Sequence, residues 1–281
     1  MPLHRMDLLL KNAQTQKIAL GAFESWESLN IRGVAEASAR CGVPVIFQAS
    51  PAEYQLAGGP DALADIVGFY VRKYEIDAAL HLDHGITLKQ VRQCLENGFT
   101  SVMLDASVLP FEENVKLSAQ AAEIAHSFQA SCEAELGHVG GGGDGGSRAE
   151  SVFTVPEEAE EFVRLTGVDC LAVAIGTVHG EYVGKPELRL DRLAAIASKV
   201  NLPLVLHGGS GTPPELLRQA IQLGITKINI CTDINQAFLT GIDEARKSLT
   251  PSVPGLFYQP PLEFLSRKAE EKIRLFMGKS I

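Results

Sequence analysis

Aromatic residues and positive charge are both scarce in this chain. Only 6% of its 281 residues are Phe, Tyr or Trp, with a single Trp, and 25 Lys and Arg stand against 34 Asp and Glu. A net charge of −9 excludes a broad basic face, so nucleic acid and anionic membrane are not expected partners, although one local anion site is compatible with it. No apolar run approaches the roughly 20 residues that cross a bilayer. The opening "MPLHRMDLLLKNAQTQK" is broken by charges and amides, and a cytoplasmic location is expected. The five cysteines, Cys41, Cys94, Cys132, Cys170 and Cys231, are odd in number and contain no C-x-x-C pair. That argues against a zinc ribbon or dithiol redox centre and leaves free buried thiols.

What is present is a rhythm. Short apolar runs occupy residues 18–23, 44–50, 78–85, 101–107, 131–137, 170–176, 203–209 and 227–232. Between them lie stretches such as "DALADIVGFYVRKYE" and "PEEAEEFVRLTG", with apolar residues at three- and four-residue spacing. Strict alternation of strand and helix implies parallel strands joined by right-handed crossovers, and eight such units close into a (β/α)8 TIM barrel. An open doubly wound sheet is the alternative, weakened because no G-x-G-x-x-G follows the first run. The reading is one domain over residues 1–281, with residues 256–281 as a helical extension packed on the barrel or on a partner subunit.

In such a barrel the C-terminal ends of the strands form the active site. Polar residues gather there: Asp83 and His84 after the third run, Asp105 on the fourth, Glu133 and Glu135 on the fifth, His179 and Gly180 after the sixth, and His207 through Ser210 after the seventh. One histidine would be an ordinary core residue, but three at strand ends suit Zn2+, which takes about three protein ligands at a catalytic site. His84, His179 and His207 supply that set. Asp83 is placed to transfer protons, and Glu135 and Asp105 serve as supporting or alternate metal positions, or, for Asp105, as part of a buried polar network. His81 fills an interior layer, while His4, His126 and His138 default to structural or solvent roles.

Two loops suit an anion. "HGGSGTPPELL" runs from the seventh strand into a helix, with Thr212 and Glu215 spaced as a capping box and Pro213 at the first helical position. "NICTDINQAF" repeats the plan after the eighth strand, with Asn229 and Thr232 as side-chain donors. A purely structural role for both loops is the competing reading.

With these residues in hand, the chain resembles the class II zinc-dependent ketose-bisphosphate aldolases, especially the tagatose-bisphosphate branch. "HLDHG", "SVMLDAS", "EAELGHVGG", "TGVDCLAVAIGTVHGEY", "PLVLHGGSG" and "LGITKINICTD" carry the resemblance over nearly the whole chain. It implies reversible cleavage of a phosphorylated ketose, of the fructose- or tagatose-1,6-bisphosphate type, to dihydroxyacetone phosphate and an aldehyde. Asp83 is then the acid/base residue, His84, His179 and His207 bind Zn2+, and Glu135 and Asp105 are alternate metal positions. Gly180, Gly208, Gly209, Ser210, Asn229 and Thr232 form the phosphate cradle, with Ser50 a further candidate. A monovalent cation, Na+ or K+, and a homodimer or homotetramer are also implied. The metal suits the chemistry, since cleavage leaves an enediolate that a Lewis acid stabilises. A Schiff-base lysine, Lys185 or Lys227, has no support from sequence.

Two departures stand out. "GHVGGGGDGG" puts seven glycines at residues 137–146, and the family's loop glutamate, which handles the C1 proton of dihydroxyacetone phosphate, falls on Gly143. Asp144 is the nearest substitute, and Glu150 lies further along; loss of proton exchange with an unusual substrate is the third option. The family's Ala-Phe-Asn after the first strand is Ala22-Phe23-Glu24 here, and an acid pointing inward there would disfavour a second phosphate or a sugar acid. Relatives that act on singly phosphorylated sugar acids or deoxy-sugars are therefore an alternative. A non-catalytic phosphosugar-binding subunit is another.

Overall fold

The computed structural model describes residues 3–141, 151–182, 184, 186–248 and 253–278. Eight parallel strands close into a barrel in chain order: β1 (Leu20–Glu24), β2 (Val45–Ala49), β3 (Ala78–Gly85), β4 (Ser101–Leu104), β5 (Ser131–Leu136), β6 (Cys170–Val173), β7 (Leu204–Leu206) and β8 (Ile225–Ile230). β8 returns to β1, pairing Asn229 with Ala22. The ring leaves no edge strand, so the TIM barrel holds and the open sheet is set aside. Every strand is buried along its whole length. That double burial, helices outside and packed side chains within, explains why the strands read as near-continuous apolar runs.

The helices are α1 (Met6–Gln16), α2 (Ser28–Cys41), α3 (Pro51–Leu56), α4 (Pro60–Tyr74), α5 (Leu88–Glu96) and α6 (Phe111–Ser127). They continue with α7 (Pro156–Thr166), α8 (Leu190–Lys199), α9 (Pro214–Gln222), α10 (Thr232–Ser248), α11 (Pro254–Phe257) and α12 (Gln259–Phe276). Their starts are set by local chemistry: Glu27 and Asn30 cap α2 reciprocally, and Thr87 and Gln90 do the same for α5. α2 and α7 end on Gly42 and Gly167 in left-handed backbone, at φ 64° and 66°.

α1 lies against the N-terminal ends of the strands, where His4 N donates to Ala78 O at 2.8 Å and Arg5 reaches Asp169. The opposite end is left for the site. α12 packs across α2 and α10, burying Leu265, Ala269, Ile273 and Phe276, and Phe276 O accepts from Ala19 N just before β1. Its apolar face is thus spent on its own barrel. Among the described residues no helix is long and apolar enough to cross a membrane.

Several strands stop earlier than their apolar runs: β4 ends at Leu104, β6 at Val173 and β7 at Leu206. Asp105 and His207 are therefore the first residues past their strands, Asp105 still giving its N–H to Gly85 O on β3 at 2.8 Å.

Candidate active site

A β-strand sends successive side chains to opposite faces, so the neighbours Asp83 and His84 should not share one. The β3–β4 register resolves this. Leu82 pairs with Val102 and Gly85 with Leu104, which leaves one extra residue on β3, and His84 sits there at φ 46°. This bulge re-aims the histidine so that both side chains enter the mouth.

Each of the three histidines makes one hydrogen bond that fixes its proton. His84 Nδ1 donates to Asp105 Oδ2 at 2.8 Å, His179 Nδ1 to Val139 O at 3.1 Å, and His207 Nε2 to Glu133 Oε1 at 2.9 Å. The partners accept only, so the lone pairs left over are on His84 Nε2, His179 Nε2 and His207 Nδ1. The three rings offer ligand atoms within 4.8 Å of one another, all buried. His84 Nε2 and His207 Nδ1 face each other at 3.2 Å, His179 Nε2 has no partner, and Glu135 Oε2, 3.3 Å from His207 Nδ1, also has none. Without a metal, a second proton on His84 is shared with His207 Nδ1 across that 3.2 Å, and a bound cation would take that proton's place. The donor set fits a borderline-soft divalent metal such as zinc.

Electrostatics agrees. Burial works against charge on His84, but Asp83, a hydrogen bond to Asp105 and Glu135 outweigh it and push its pKa up to about 10. The acidic surround therefore favours a cation at this ring. Burial and the neighbouring His84 and His207 hold His179 well below the ordinary histidine value. Burial would raise Asp83, yet His84, His207 and Lys227 keep it ionised. Burial likewise opposes charge on Asp105, and its hydrogen bond from His84 lowers its pKa below the usual carboxylate range.

The loop after β5 props the cluster. His179 N donates to Gly140 O at 2.8 Å, and a Cβ on Gly141 would fall 2.3 Å from His179 O. The early glycines of "GHVGGGGDGG" thus permit a close backbone approach to a histidine of the site. Asp144, Gly143, Glu150 and Lys185 lie outside the described residues.

On the β7–β8 side, Gly208 adopts φ 64°, and a Cβ there would meet Val178 O at 2.3 Å. Gly209 N donates to Asn229 O, Ser210 Oγ accepts from Asp233 N at 3.1 Å, Gly180 has φ 85°, and Thr232 opens α10. One expectation changes. The Thr212–Glu215 capping box does not form: Pro213 is the N-cap, Pro214 opens α9, and Thr212 instead bonds Tyr182 Oη at 2.8 Å and Gly208 O at 3.2 Å. Asn229 gives its amide N–H to Asp83, at 3.3 Å and 3.4 Å, and its backbone carbonyl to Gly209 N. Ser50 caps α3 and gives its N–H to Glu24 and Glu53, apart from the glycine loops.

A chain of buried charge beneath the mouth was not anticipated. Lys227, fully buried on β8, lies 2.9 Å from Glu133 Oε2, and Glu133 in turn orients His207. Burial would raise the Glu133 pKa, but Lys227 and His207 bring it far below the ordinary range. His81 donates or accepts through Nδ1 with Ser101 and places Nε2 3.7 Å from Glu133; burial and Lys227 lower its pKa to about 3. His138, read as structural, is buried beside Ser107 and Glu135. The signal was available: 81/83, 133/135 and 227/229 are all spaced by two, as inward-facing strand positions must be.

The fructose-bisphosphate aldolase class-II family model matches residues 4–280. The chain belongs to that family. Among solved structures, the YdjI aldolase of Escherichia coli K12 is similar at 30% identity, over 98% of this chain and 97% of that one, with a TM-score of 0.87. A putative fructose-1,6-biphosphate aldolase from Coccidioides immitis is 27% identical over 97% and 96%, with a TM-score of 0.89. Fructose-bisphosphate aldolase from Campylobacter jejuni, 22% identical over 98% and 95% with a TM-score of 0.84, shares the fold. This aldolase is therefore a carbon–carbon lyase, and the polar mouth of its barrel is where a phosphosugar and a metal are to be sought. A cavity of about 630 Å³ on its flank, lined by Arg32, Glu36, Arg40 and Glu270 among others, contains none of the mouth residues.

Proposed function

We propose that this aldolase is zinc-dependent and reversibly cleaves a phosphorylated ketose to dihydroxyacetone phosphate and an aldehyde. The observation that carries the reading is the set of three buried imidazoles whose fixed protons leave their lone pairs converging beside an ionised aspartate. His84, His179 and His207 would hold the metal, with Glu135 and Asp105 as alternate ligands; Asp105 also orients His84. When bound, the metal supplies Lewis-acid stabilisation of the charge that develops on the ketose oxygens.

The chain's own groups do the rest. In cleavage Asp83 takes the C4 hydroxyl proton, and in condensation it returns that proton to the aldehyde-derived oxygen. Gln48 and Asn229 hold its carboxylate in place. Gly180, Gly208, Gly209, Ser210 and Thr232 receive the phosphate, with Ser50 at the far side of the mouth. Asp144 is our assignment for the C1 proton, in place of the glutamate that Gly143 replaces. A monovalent cation, a homodimeric or homotetrameric assembly and a cytoplasmic location complete the reading.

The test is a retro-aldol assay over a panel of phosphorylated ketoses with Zn2+. Wild type releases dihydroxyacetone phosphate, and Asp83→Asn loses roughly 10²-fold or more in kcat while binding the same amount of zinc. Full activity in Asp83→Asn would remove the aspartate from the scheme. Deuterium exchange into dihydroxyacetone phosphate by Asp144→Ala tests the loop residue; unchanged exchange would acquit it.

A further inference from the structure

The two sides of the mouth differ in what they offer a ligand. Around β7 and β8 the available groups are glycine backbone and hydroxyls. Around β1 and β2 they are carboxylates. Glu24, the last residue of β1, is fully buried. Its Oε2 accepts from Gln48 Nε2 at 3.2 Å and its Oε1 from Ser50 N at 3.2 Å. Ser50 N also donates to Glu53 Oε2 at 2.9 Å, and Gln48 Nε2 also donates to Asp83 Oδ2 at 3.0 Å. Three carboxyl groups are thereby strung together through an amide and a backbone N–H, which are neutral donors. Burial raises the Glu53 pKa, a hydrogen bond with Glu24 opposes that rise, and the charge of Asp83 adds to it.

An independent observation marks this side as a binding surface. Gln48 is wholly buried and Oε1 of its amide has no partner. The same amide bridges Glu24 and Asp83 through its nitrogen. Its oxygen is left to accept a hydrogen bond from something outside the chain, and a buried acceptor without one is expensive. A hydroxyl can donate there. A phosphate or carboxylate brings only more acceptors to a place already lined with carboxyl oxygens.

We infer that Glu24 is a specificity-determining residue: the aldehyde half of the substrate is an uncharged polyhydroxy chain, and the ketose carries a single phosphate, on its dihydroxyacetone half. The inference rests on the aldolase reading above, in which Asp83 faces the aldehyde-derived oxygen. Gln48 ties Asp83 to Glu24, so the acceptor atoms next to that oxygen come against Glu24. A neutral hydroxyl finds Gln48 Oε1 as an acceptor; an anionic terminus finds carboxyl oxygens and no cation in these contacts.

The experiment is condensation of dihydroxyacetone phosphate with matched aldehydes by the Zn2+-loaded enzyme. Glyceraldehyde, glyceraldehyde 3-phosphate and succinic semialdehyde differ in terminal charge. Wild type should favour glyceraldehyde by at least about tenfold in kcat/KM, the equivalent of ~1.4 kcal/mol. Glu24→Gln and Glu24→Asn should narrow or reverse that ratio by about the same factor, chiefly through the KM of the anionic acceptors, whereas Glu24→Asp, which keeps the carboxyl group, should preserve the preference for the neutral one. Thermal unfolding confirms that each variant folds.

Preference of wild type for the phosphorylated aldehyde would overturn the inference. So would an unchanged ratio in folded Glu24→Gln. Proton exchange into dihydroxyacetone phosphate, which needs no acceptor, separates the two layers. Exchange together with condensation only onto anionic aldehydes defeats the inference alone; absence of both defeats the aldolase reading and the inference with it.

Discussion

Replacing Lys227 by methionine isolates what the buried charge layer contributes. Methionine keeps much of the side chain's length and removes the ammonium 2.9 Å from Glu133 Oε2. Glu133 would retain His207 Nε2 as a hydrogen-bond donor at 2.9 Å but lose its full compensating charge in a site closed to water. Breaking a buried ion pair from one side costs about 3–5 kcal/mol, against a total stability of roughly 5–15 kcal/mol for a domain. Metal-free protein should therefore unfold at a clearly lower urea midpoint at pH 8.

The pH dependence sharpens the test. His81, whose Nε2 lies 3.7 Å from Glu133, is held down to about 3 by burial and then by Lys227. Without the lysine its folded-state pKa rises, so the folded variant takes up a proton on acidification that folded wild type refuses. In wild type that refusal costs stability as pH falls below the unfolded histidine value of about 6.5. The gap between the two proteins should thus shrink on acidification, once pH falls to the variant's own folded-state value, which lies above the wild-type value of about 3. The double variant Glu133→Gln/Lys227→Met removes the charge along with its partner and should recover much of the loss. A single variant within about 1 kcal/mol of wild type at pH 8, or a double variant no better than the single, would refute the account.

Chelation of the metal should abolish cleavage and lower the melting temperature, because it removes a ligand held only by the folded state; added Zn2+ should restore both, and a melting temperature indifferent to metal would argue against the convergence described. Gly208→Ala forces a left-handed backbone, at about 1–2 kcal/mol, onto a Cβ that meets Val178 O at 2.3 Å, so KM for the phosphorylated ketose should rise; an unaltered KM would remove this glycine from the phosphate loop. Burial opposes ionisation of Asp7, but hydrogen bonds from Arg5 and Lys11 outweigh it and depress its pKa. Its stabilisation is present above the unfolded value of about 3.9 and is lost as pH falls through the lower folded one, so Asp7→Asn should destabilise at neutral pH and converge with wild type in strong acid. Paired melting curves check this.

The barrel was legible because a βα rhythm repeats and each buried strand is apolar along its length. The histidines were legible because polar residues at strand ends are expensive and so conspicuous. What stayed hidden is contact across the barrel. β5 and β8 are not neighbours in the ring, so no local spacing announces that Glu133 meets Lys227; only the convergence of inward faces does. Thr212 and Glu215 carry a sound capping pattern, but Tyr182 competes for the threonine hydroxyl with a 2.8 Å bond, and tertiary contact overrode local preference. Asn229 was likewise drawn to Asp83, a charge stronger than any neutral loop partner.

The bulge that seats His84 carries a conflict within one residue. At φ 46° a side chain with a Cβ stands roughly 1–2 kcal/mol above glycine's ease in the same conformation. Glycine would relieve that strain but leave the buried Asp105 carboxylate without its 2.8 Å partner, and breaking a buried pair from one side costs about 3–5 kcal/mol. The strained backbone at His84 is thus kept by the partner its ring holds, and relief by glycine should become visible as a gain in stability only in a background where Asp105 has been made neutral.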